Sequence, residues 1–250
     1  MPVYVILLSY TFLILAQWPA AYLIQNVSIT LGILLNEILI VAGLPIGLVR
    51  HWKIPWGQIF PFRRPKTREL VWTVVMTLSL VVLIDYLTFL SEKIWAPPGA
   101  IKNMLERLMA VDNFPDGAWR WFLLCLTPAF CEELFFRGFF QRSLESHWGP
   151  RTALLATALA FTFIHGIPQY WHLYFILGLY LSWLLFIRQN LWFPILAHLL
   201  NNSWTYLTHV LGYTLPAAET WVPVNSLVMG ICILVFAFSS LRFRSVVRGP

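Results

Sequence analysis

The chain has 250 residues, 59% of them hydrophobic and only 11% charged, and its mean hydropathy is +0.70. Soluble domains carry roughly a quarter charged residues, so a water-soluble globule is excluded. The net charge of +6 invites nucleic acid as a partner, but the basic residues are grouped by topology rather than in a binding patch, which argues against it.

Apolar blocks recur at about 20 residues, long enough to cross a bilayer core as helices. In chain order the spans are predicted at 3–24, 27–49, 71–91, 119–141, 152–168, 170–187, 191–211 and 222–241. The sequence thus predicts an all-α, polytopic integral membrane protein with about eight transmembrane helices in a single domain, 1–250. That domain divides into N-terminal helices 1–91, a motif-bearing core 119–211 and a last helix 222–241. The first block is too long and too uniformly apolar for a cleaved signal peptide, and it lacks a basic leader. Between the third and fourth spans, "IKNMLERLMA" reads as a short amphipathic helix at the membrane interface.

With eight spans, both termini and every second loop share one side. Arg50, Lys53, Arg63, Arg64, Lys66, Arg68, Arg142, Arg151, Arg188, Arg242, Arg244 and Arg248 then fall on that side, against Lys93, Lys102, Arg107 and Arg120 on the other. Such asymmetry marks the cytoplasmic face, so a cell-membrane protein with cytoplasmic N and C termini is predicted, its basic loop against anionic headgroups. Cys125, Cys131 and Cys232 lie within apolar spans without metal-site spacing and are expected to be packing residues. The abundant aromatics are expected to face lipid and the interfaces.

A charge at mid-membrane costs a few kcal/mol, which makes each ionisable group within a span a candidate for function. These are Glu37, Asp85, Glu132, Glu133, Arg137, His165, His198 and His209. In "CEELFFRGFFQ", Glu133 and Arg137 stand four apart with the acid first, the favourable order for a helix pair. Glu132 points about 100° away around the helix, and so is expected to seek partners on other helices. "LAFTFIHGIPQ" puts Phe161 one turn before His165, and "FPILAHLLNNSW" stacks His198 and Asn202 on one face. Counted from the predicted span ends, Glu132, His198 and Asn202 lie at similar depth and His165 deeper, at roughly 20 Å.

Chemically the set suits hydrolysis. A carboxylate with a histidine can orient and deprotonate water, and a histidine and an amide one turn apart can face a developing oxyanion. Glu132, His165 and His198 are also an acceptable set for a divalent metal such as zinc. Residue chemistry alone leaves both open. Buried ionisable groups also serve proton-coupled transporters, but no inverted repeat supports that here.

Three motifs occur in order on successive spans: "EELFFR" as EExxxR, "FTFIH" as FxxxH and "HLLNN" as HxxxN. In this the chain resembles the CPBP family of intramembrane proteases, which includes the type II CAAX prenyl, bacteriocin-processing and Abi-type members. The resemblance covers about 119–207. It implies an eight-helix endopeptidase in which Glu132 and His165 activate water and His198 and Asn202 form the oxyanion site. Glu133, Arg137 and Phe161 would support them. It implies no required cofactor, with zinc on Glu132, His165 and His198 the alternative. The partners implied are membrane lipids and a membrane-embedded or lipidated peptide substrate. Some relatives act as proteolytically silent scaffolds, the second function to be weighed.

Overall fold

A computed structural model describes residues 1–212 and 222–245, the side chains at 18, 20–26, 222–226 and 245 excepted. Among the described residues every regular element is helical. These are α1 (Val3–Asn26), α2 (Ile29–His51), α3 (Thr67–Ile94), α4 (Gly99–Met109), α5 (114–148), α6 (Pro150–Ile164), α7 (Trp171–Arg188), α8 (Trp192–Val210) and α9 (Val222–Ser245), with short turns at Trp56–Ile59 and Pro168–Tyr170.

The helix starts follow local chemistry. Ser28 Oγ accepts the Leu31 N–H, Glu69 accepts the Lys66 N–H, and Asn113 accepts the Asp116 N–H, each filling an orphan donor of a first turn. α6 ends at His165 because Gly166 takes φ +63 and Pro168 follows. α2 and α5 depart from regular α geometry, with wider π turns at Asn36–Ala42, Phe122–Leu126 and Leu134–Gln141. Such turns are rare and collect at functional sites.

Among the described residues, four helices are long and apolar enough to cross a membrane: Ile29–His51, Thr67–Ile94, Pro168–Arg188 and Leu227–Arg244. Four of the about eight expected spans thus meet that criterion of length and apolarity. Val3–Gln17 and Pro150–Ile164 are apolar but shorter. α5 and α8 are diluted by their own polar residues, among them Glu132, Glu133, Arg137, His198, Asn201 and Asn202. Protein rather than lipid covers much of these two helices, and every residue from Leu134 to Gln141 is buried.

One end of the bundle gathers the basic residues. There His147 meets the Met1 carbonyl at 3.0 Å, and Arg142 donates to the Gln58 carbonyl at 3.2 Å. Asn190 donates to the Arg63 carbonyl at 2.8 Å, and Arg188 pairs with Glu69 at 3.1 Å while donating to the Phe243 carbonyl. The chain start, the loop before α3 and the end of α9 thus meet, as the charge pattern implied; Arg248 lies outside the described residues. At the other end Glu92 accepts from Tyr170 and pairs with Lys102 of α4 at 3.0 Å. Arg120 donates to Asp116 at 2.8 Å, and that bond holds the Asp116 carboxyl below its ordinary range. α4 takes the place expected of the amphipathic helix.

Several polar side chains of the spans tie helices together. Asp85 of α3 accepts the Trp204 indole N–H of α8 at 2.6 Å, and His172 meets Ser91 at 2.7 Å. His51 and His209 are exposed. All three cysteines are free, Cys125 and Cys131 buried.

Close approach between α6 and α7 depends on Gly178. A Cβ there would stand 3.1 Å from the Ala158 carbonyl oxygen and 3.3 Å from the Phe161 ring. Small residues let membrane helices approach this closely. Gly178→Val is expected to cost about 1–3 kcal/mol by overpacking, read as a lower melting temperature in detergent.

Candidate active site

Glu132 and Glu133 close the regular part of α5, Thr127–Glu133, just before the π turns of Leu134–Gln141. The expected Glu133–Arg137 pair forms, Nη1 to Oε1 at 2.7 Å, with neither side chain exposed at all. Arg137 is gripped from three further directions. Nη2 donates to the Gly178 carbonyl of α7 at 3.2 Å, and the guanidinium lies 4.3 Å from the Phe161 ring centre of α6 and 5.9 Å from that of Phe136. Cation–π contact and a buried carboxylate together repay the desolvation of the guanidinium.

His198 of α8 places Nδ1 2.9 Å from the same Glu133 oxygen. Sequence reasoning assigned the histidines to Glu132; the structure puts His198 on Glu133. The physical reason is the facing of the helices: α8 packs on Thr127–Glu133, and its His198 meets the face that carries Glu133 and Arg137. Glu133 thus accepts from Arg137 and His198 on one oxygen, while its Oε2 and the Arg137 Nε have no hydrogen-bond partner.

His165, at the end of α6, sets Nδ1 2.7 Å from the Phe161 carbonyl. A carbonyl only accepts, so Nδ1 carries the proton and the neutral ring presents Nε2 as a base. The ring lies edge-on to Phe161 at 4.7 Å and stacks on Tyr174 of α7 at 3.9 Å and 23°. It stands within electrostatic reach of His198 and Arg137. One contact fixes its tautomer and the other its plane.

Glu132 is different. Its Oε2 is sealed from solvent and has no hydrogen-bond partner. Glu37, His198, Glu133 and Arg137 lie within its electrostatic reach, and Tyr174 within reach from α7. Asn202, one turn beyond His198, sends Nδ2 to the Leu124 carbonyl at 3.5 Å and accepts from Asn201 at 3.1 Å. The structure therefore gathers Glu132, Glu133, Arg137, Phe161, His165 and His198 around one centre and leaves Asn202 a turn to one side.

Three contributors went unassigned in sequence reasoning. Glu37, 7% exposed on the π turns of α2, has an unpartnered Oε2; its only signal was its charge within a span. Tyr174 and Gly178 carried no signal, because an aromatic and a glycine in a membrane helix are ordinary. Among the described residues no three His, Cys, Asp or Glu side chains form a metal-binding set. His198 commits Nδ1 to Glu133.

Membrane-length helices around an enclosed carboxylate–histidine–guanidinium centre define a helical membrane protein with a polar heart. Residues 114–204 match the family model of Rce1-like proteins, the type II CAAX prenyl endopeptidases. That segment runs from the start of α5 to within α8, and the match takes in all three motifs. No curated protein and no solved structure matches the chain.

Proposed function

We propose that the protein is an intramembrane endopeptidase that hydrolyses a peptide bond of a lipidated or transmembrane peptide, of the prenylated CAAX kind, with Glu132 as the base acting on water. The observation that carries this reading is the division of labour between adjacent carboxylates. Glu133 is consumed by Arg137 and His198, while Glu132 keeps an enclosed oxygen that no donor occupies.

In the proposed reaction Glu132 takes a proton from a water oriented by His165 Nε2, and the water oxygen attacks the scissile carbonyl. The tetrahedral oxyanion is met by His198 and Asn202. His198 already donates through Nδ1, so an Nε2–H for the oxyanion exists only in the doubly protonated ring, for which Glu133 supplies the counter-charge. The C–N bond then breaks, and Glu132 returns its proton to the leaving amine. The Asn202 amide must leave the Leu124 carbonyl to take part. We further propose that α1, α5, α6 and α8 lie in the bilayer beside the four apolar helices, with both termini in the cytoplasm. No step requires a metal, and turnover is expected to survive chelation of divalent ions.

Purified protein in phosphatidylcholine vesicles is expected to cleave a farnesylated CAAX peptide, with products read by mass spectrometry, and to ignore the same peptide without its lipid. His165→Ala is expected to lower the rate by about 100-fold or more. Undiminished cleavage by this variant, or no cleavage of any lipidated or transmembrane peptide by the parent protein, sinks the proposal.

A further inference from the structure

α7 turns its Gly178 carbonyl towards Arg137, and presents a different face to a surface groove of about 410 Å³ between α3, α6 and α9. Leu80, Leu154, Leu179, Trp183 and Phe236 line it. The Tyr180 hydroxyl turns away to Thr77 at 2.8 Å, so only its ring reaches the groove wall. Polarity enters at one end, where Ser240 and Arg244 complete the lining. From Phe236 to Arg244 along α9 the trough runs about 12 Å at 1.5 Å per residue.

The mouth is cationic and unneutralised. The Arg244 guanidinium rests 5.2 Å over the Trp183 ring, which anchors it at the rim without cancelling its charge. Exposed Arg151 lies near the start of α6, three residues before the groove residue Leu154, a spacing that sets the two on one helix face. Among the described residues neither arginine makes an ion pair, and the nearby Glu69 is taken by Arg188. No carboxylate lines the groove. This is the basic end of the bundle, where the chain start, the loop before α3 and the end of α9 meet.

We propose that this groove binds an anionic glycerophospholipid, one acyl chain lying in the trough and the phosphate held by Arg244 and Arg151. A hydrocarbon tail alone explains the trough and leaves two cations idle. A soluble anion explains the cations and leaves the trough unused. Only a ligand with both parts satisfies the whole site, and basic pockets between membrane helices take anionic lipid heads in this way. The site is distinct from the Glu132 centre and does not depend on the proposed proteolysis.

The test uses the full chain in detergent, exchanged against vesicles of phosphatidylcholine or of phosphatidylcholine mixed with phosphatidylglycerol, with retained lipid counted by native mass spectrometry. Phosphatidylglycerol should be retained selectively, and Arg151→Ala and Arg244→Ala should each weaken retention about fivefold, the worth of one surface cation. Leu179→Trp, which fills the trough and spares both arginines, should abolish retention; Ile176→Phe does the same service if that variant fails to fold. Inorganic phosphate should not displace the lipid. Equal retention of the two lipids, displacement by phosphate, or selectivity untouched by the arginine or the trough variants overturns the proposal.

Discussion

Arg137→Leu is expected to lower the stability of the protein by about 3–5 kcal/mol, the cost of leaving a buried charge without its partner. Both members of the pair are completely enclosed and 2.7 Å apart. Removing the guanidinium strands the Glu133 carboxylate, with His198 its remaining donor among the described residues, and empties the acceptor role of the Gly178 carbonyl. The double variant Glu133→Gln with Arg137→Met should recover much of the loss. It removes both charges, the long thioether fills the guanidinium's place against Phe161, and the glutamine carbonyl still accepts from His198. Unfolding midpoints in one detergent check all three proteins. An Arg137→Leu variant as stable as the parent would show that the pair does not carry the bundle centre.

Glu132→Gln should behave in the opposite way. With no hydrogen bond on its enclosed Oε2, exchanging the carboxylate for an amide costs the fold little. It removes the proposed base, and cleavage of a lipidated peptide should fall by about 100-fold or more. Glu133→Gln, one residue along, should instead lose stability, because the Arg137 charge is then unmatched. The two variants differ by a single position and are isosteric with their parents, so a rate loss without a melting shift in the first, and a melting shift in the second, separates the two roles. The same outcome in both variants would falsify the division of labour.

Much of the site was legible because its elements are local. A helix pair four residues apart needs only helical geometry, and Glu133 with Arg137 followed directly. So did the placing of Phe161 under His165, where the contact runs within one helix from the Phe161 carbonyl to Nδ1. The basic residues could be sorted to one end because each turnaround of the chain reverses direction, and the contacts of Met1, Gln58, Arg63 and Phe243 gather there. The count of spans was less legible. Hydropathy assumes lipid on every side, whereas α5 and α8 are partly solvated by protein and carry polar residues that lipid would penalise.

Composition and periodicity were enough to establish a helical membrane protein, and three spaced motifs were enough to mark which polar residues belong together. Those properties follow from burial energetics and the 3.6-residue turn, which act along the chain. Which carboxylate receives His198, that Glu37 and Tyr174 stand near Glu132, and that Gly178 offers Arg137 a carbonyl depend on how separate helices rotate and approach. Such rotations are settled by side-chain packing across interfaces, as at Gly178 against Ala158, where a single Cβ would have no room. The adjacent glutamates are alike in sequence; α8, laid against one of them, makes them different.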